Sequence, residues 1–91
     1  MYAHARGRIK AKEDIRDAQA KAEVAKAQGL SWHVGLAGVS IDTTALAYMT
    51  KHAAERWISS CVRKVCHTYG WTGARRQELR KVLTDFWSGK T

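Results

Sequence analysis

The chain has 91 residues, with 16 Lys and Arg against 8 Asp and Glu, a net charge of +8 and no proline. That length suits one domain with a small core. It offers no apolar run near the roughly 18–20 residues that a membrane-spanning helix needs, and no long apolar stretch at its start of the kind a secretory leader carries.

The charge is unevenly placed. Residues 1–12 hold Arg6, Arg8, Lys10 and Lys12 and no acid. Residues 13–29 and 30–50 each carry a net −1, and residues 51–69 and 70–91 each carry +3. A basic arm that is free to move, a near-neutral middle and a basic C-terminal half favour an acidic partner, of which nucleic acid is the commonest.

Residues 8–28 are rich in Ala, Lys, Glu, Gln and Arg, all strong helix formers. Ala11, Ile15, Ala18, Ala22 and Ala25 form a heptad-like seam. Alanine removes little apolar area from water, so this first helix is expected to be loosely held, with its seam available for a homodimer. Gly29 ends it.

The connector 29–41 is apolar and Gly-rich. Leu30, Trp32, Val34 and Leu36 alternate with smaller or polar residues, a period of two that favours a strand. With no second strand evident in the chain, three forms stay open: a strand paired across a dimer, an irregular buried loop, or a short helix.

Ser40 or Asp42 then caps a second helix over 42–69. Apolar pairs Ala53–Ala54, Trp57–Ile58, Cys61–Val62 and Val65–Cys66 alternate with polar pairs, which gives a broad buried face. Gly70 and Trp71 fit a left-handed helix stop. A third helix over 73–88 places Leu79, Val82, Leu83 and Phe86 on one face. The expected fold is therefore all-α, with three helices in a single domain; the last two form a hairpin or an angled pair.

The second and third helices carry the strongest functional signal. Arg56, Arg63 and Lys64 on the former, and Arg75, Arg76, Arg80 and Lys81 on the latter, are expected to contact phosphates, with Arg6, Arg8, Lys10 and Lys12 as the arm. A merely solvated face usually mixes both signs, whereas only Glu55 interrupts the stripe on the second helix. The expected function is non-catalytic nucleic-acid binding, to DNA, in a regulatory or architectural role.

The turn around Gly70 partly fits a helix-turn-helix, although Arg76 stands where a small apolar residue belongs. The order strand–helix–helix partly fits a ribbon-helix-helix dimer, with Ser31 and His33 facing the groove, but the first of its helices is too long. The rival reading is a small inhibitor or adaptor that docks on an acidic protein, using Leu30, Trp32, Val34 and Leu36 as its anchor strip inside a basic rim.

Other chemistry is not expected. Cys61 and Cys66 stand five residues apart, off the three-or-four spacing that would put two metal ligands on one helix face. They read as reduced thiols of a cytoplasmic protein. There is no phosphate loop, no nucleophile elbow and no close carboxylate pair, so no catalytic residue, cofactor, metal or small-molecule substrate is expected.

Overall fold

The computed structural model describes residues 2–90, with side chains described for residues 10–89. Its order is helix α1 (Tyr2–Ala27), strands β1 (His33–Leu36) and β2 (Val39–Asp42), a single 3₁₀ turn (Leu46–Tyr48), and helices α2 (Lys51–Tyr69) and α3 (Gly73–Lys90). The protein is mostly helical, as expected, but it also contains a small antiparallel sheet.

The connector contains its own second strand, against the expectation that the chain offers none. β1 and β2 pair antiparallel in the register His33↔Asp42, Val34↔Ile41, Gly35↔Ser40 and Leu36↔Val39. Val34, Leu36, Val39 and Ile41 therefore share the face that packs on the core, and His33, Gly35 and Ser40 are exposed on the other. The two-residue loop Ala37–Gly38 has positive φ at both positions, 51° and 81°, which is the type I′ turn that matches strand twist. No dimer is needed to pair β1, so the ribbon of a ribbon-helix-helix dimer is replaced by a hairpin within one chain.

Helix α2 starts at Lys51, not at residue 42. Residues 39–42 are held in the hairpin, and Leu46, fully buried, inserts the 3₁₀ turn into the core. Thr50 is the N-cap: its hydroxyl oxygen accepts from the Ala53 N–H at 3.4 Å. At the other end, Gly70 is left-handed (φ 69°) and the Trp71 N–H donates to the Cys66 carbonyl at 3.0 Å, as the expected helix stop requires.

Helices α2 and α3 form an antiparallel hairpin. Arg80 reaches Ser59 near its middle, and the Trp87 Nε1–H donates to the Met49 carbonyl at 3.0 Å at its open end. Ile58, Val62, Cys66, Leu79 and Leu83 are buried between the helices and the sheet. This lengthwise packing differs from the steep crossing of a helix-turn-helix.

Helix α1 is better held than its alanines suggest. Ala11, Ala18, Ala22 and Ala25 are all buried, and the seam packs against α2 and the 3₁₀ turn of the same chain. Small side chains let the backbones approach closely, so the seam is satisfied within the monomer and is not left open for a second copy. Polar contacts fix α1 on both sides of that seam. The Thr50 hydroxyl donates to Asp14 at 3.1 Å, and Lys26 pairs with Asp42. The helix begins at Tyr2 instead of residue 8, so the basic arm is its first turns. The side chains of Arg6 and Arg8 lie outside the described residues.

Candidate nucleic-acid interface

An open groove of about 850 Å³ runs where α1 crosses α2. Its apolar floor includes Ile15, Trp57, Cys61 and Val65. Its walls carry Lys12 and Gln19 from α1, and His52, Arg56, Ser60, Arg63 and Lys64 from α2. The α2 residues recur at four-residue steps (52, 56, 60, 64), which stack on neighbouring turns of one helix. Glu55 is the one acid among the lining residues.

Pairing separates the basic residues into two groups. Lys10 is 3.3 Å from Asp14, Arg75 is 3.4 Å from Glu78, and Lys81 is 2.9 Å from Asp85. Among the described residues, none of Lys12, Arg56, Arg63, Lys64, Arg76 and Arg80 has a carboxylate within 4.0 Å. Four of these six line the groove. Arg80 joins them across the hairpin, donating from its guanidinium to Ser59, another lining residue, at 3.4 Å. Arg76 stands one helical turn from Arg80 on α3.

The structure therefore brings together Lys12, Arg56, Arg63, Lys64 and Arg80, and sets Lys10, Arg75 and Lys81 apart as ion-paired residues. Lys12 lines the groove from α1, which crosses α2 at that height. Nothing in the local pattern of residues 1–12 signals that crossing.

Cys61 on the floor is half-buried. Burial pushes its thiol above the ordinary value, against the pull of Lys64, so it stays protonated and is no thiolate nucleophile at neutral pH. Both cysteines are free thiols. Among the described residues, no group of three or more His, Cys, Asp and Glu is placed to hold a metal ion, and no helix is long and apolar enough to cross a membrane.

The strip Leu30, Trp32, Val34 and Leu36 does not form one exposed anchor. Val34 and Leu36 turn inward against the core. Trp32 is half-buried, edge-on to Tyr48 with ring centroids 6.3 Å apart, and its backbone N–H donates to the Thr44 hydroxyl at 3.0 Å. Leu30 alone remains half exposed, beyond the end of α1.

No protein-family model, curated protein or solved structure matches this chain.

Proposed function

We propose that this protein binds nucleic acid without transforming it, holding the phosphate backbone of DNA in the α1–α2 groove in a regulatory or architectural role. The observation that carries this reading is a set of cations with no carboxylate partner among the described residues: Lys12, Arg56, Arg63 and Lys64 line one concavity, and Arg80 reaches Ser59 in its wall from the adjoining α2–α3 cleft. A charge that serves only solubility gains nothing from being clustered. Packing like charges at one place raises self-repulsion, which a polyanion relieves on binding. Ser59, Ser60 and Gln19 add neutral donors of the kind that fix a phosphate's position.

The adaptor reading has less support, since Val34 and Leu36 face the core and the aromatic anchor shrinks to a half-buried Trp32.

The deciding experiment is a salt titration of binding to a labelled blunt duplex. Five engaged phosphates give a slope of log K against log salt of about −4 to −5. Absence of binding at low salt overturns the proposal.

A further inference from the structure

The turn between α2 and α3 carries an aromatic cluster that the groove does not use. Tyr69 is the last residue of α2, and Trp71 follows the left-handed Gly70. The tight reversal brings their rings together, with centroids 5.6 Å apart and planes inclined by 31°. The Arg75 guanidinium lies over the Trp71 ring, 5.7 Å from its centroid. A hydrophobic helix stop needs one apolar residue turned inward, and Trp71, packed partly on the core, supplies it. Tyr69 does not share that burial: it is 53% exposed.

The cluster is connected to the groove by charge. From Ser59 in the groove wall, Arg80 and then Arg76 lead along α3 back to the turn, with a rise of about 6 Å between them. Neither has a carboxylate partner among the described residues, and the first turn of α3 contains no acid. A backbone leaving the groove along this ladder arrives beside the outward-facing Tyr69 ring, which leans on Trp71, whose own ring is covered by the Arg75 guanidinium. Such a platform suits a base that is free on both faces and can turn out of its strand, which a duplex offers only where its strands part.

We infer that the α2–α3 turn is a stacking ledge for unpaired bases, with Tyr69 as its outer ring, so that the ligand of this chain is a duplex with a single-stranded extension. The inference rests on the nucleic-acid reading above. Tyr69 supplies stacking area, Trp71, itself held between the core and Arg75, backs it, and Arg76 and Arg80 carry the phosphates between the paired and unpaired segments.

The test compares a blunt 20-base-pair duplex with the same duplex bearing a six-nucleotide extension, on either strand, by fluorescence anisotropy. The extended duplex is expected to bind about ten-fold more tightly, in line with one or two stacked bases. Tyr69→Ala removes that preference while leaving blunt-duplex affinity within about two-fold, and Tyr69→Phe retains it because the ring remains. Equal affinity of the wild-type chain for blunt and extended duplexes overturns the ledge and leaves the groove standing. A loss in Tyr69→Ala that is the same for both ligands, with an unchanged circular dichroism spectrum, also overturns it. Failure to bind either ligand overturns both proposals together.

Discussion

Lys26, in the last turn of α1, forms an ion pair with Asp42, the last residue of β2. The contact joins the C-terminal end of the longest helix to the sheet, where a cation also suits the negative end of the helix. Asp42 accepts a second hydrogen bond, from the Thr44 N–H at 2.9 Å, and so also shapes the exit from the hairpin. Partial burial pushes its carboxyl upward. The hydrogen bonds from Lys26 and Thr44 outweigh that effect and hold it at about 2, below its ordinary 3.8.

A carboxyl held low in the folded state favours folding above its unfolded value and loses that contribution as pH falls through the folded one. The pair therefore supports the fold above pH 3.8 and ceases to do so as pH approaches about 2. With both side chains more than a third exposed, solvent screening keeps its worth small. Asp42→Asn keeps an acceptor for Thr44 and removes only the charge. Thermal unfolding should show the variant slightly less stable at pH 7, with the gap closing between pH 4 and 2. A gap that does not change with pH would mean that the charge contributes nothing.

The division of the basic residues into paired and unpaired groups predicts unequal effects from equal changes of charge. Arg56→Ala with Arg63→Ala, and Lys10→Ala with Lys81→Ala, each lower the net charge by the same amount. If affinity followed overall charge, both pairs would lose the same. If the groove is the site, the first pair should weaken duplex binding about ten-fold and make the salt slope shallower by about 2. The second should change affinity less than about two-fold, because Lys10 and Lys81 already face Asp14 and Asp85. Equal losses in the two double variants would move the binding surface away from the groove.

What the sequence makes legible follows the range of the interactions. The period near four of α2 and the glycine stops at Gly29 and Gly70 depend on neighbours within one or two turns, and they appear where expected. The pairs Arg75–Glu78 and Lys81–Asp85 also stand at helical spacings, of three and four residues, and are legible in the sequence. β2 was not legible for two reasons. Its alternation lasts only four residues, and Asp42 resembles a helix cap while its carboxylate is occupied by Lys26 and the Thr44 N–H. The alanine seam was legible as a seam, but its partner depends on how α1 crosses α2, which no local pattern encodes. The same crossing brings Lys12 to Arg63 and Lys64, so the groove as a three-dimensional object was out of reach even though its α2 wall was not.

Ala37 disguised the hairpin most, and it offers a direct test of the turn. Type I′ turns take Asn-Gly or Gly-Gly because both central residues need positive φ, and an L-residue with a Cβ pays roughly 1–2 kcal/mol there. Gly38 meets the requirement at no steric cost, whereas Ala37, at φ 51°, meets it against its own Cβ. The residue is exposed, so its methyl group gains little from packing. Ala37→Asn should therefore stabilise the protein by about 0.5–1 kcal/mol, raising the melting temperature by about 2–8 °C for a domain of this size. Ala37→Val should do the opposite, since a β-branched side chain tolerates that conformation worst. The inward face of the hairpin packs on the core, so strain in the loop registers in the global transition instead of in local fraying. A fall in melting temperature for Ala37→Asn would show that the loop is not left-handed. It would also remove the register that places Val34 and Leu36 against the core.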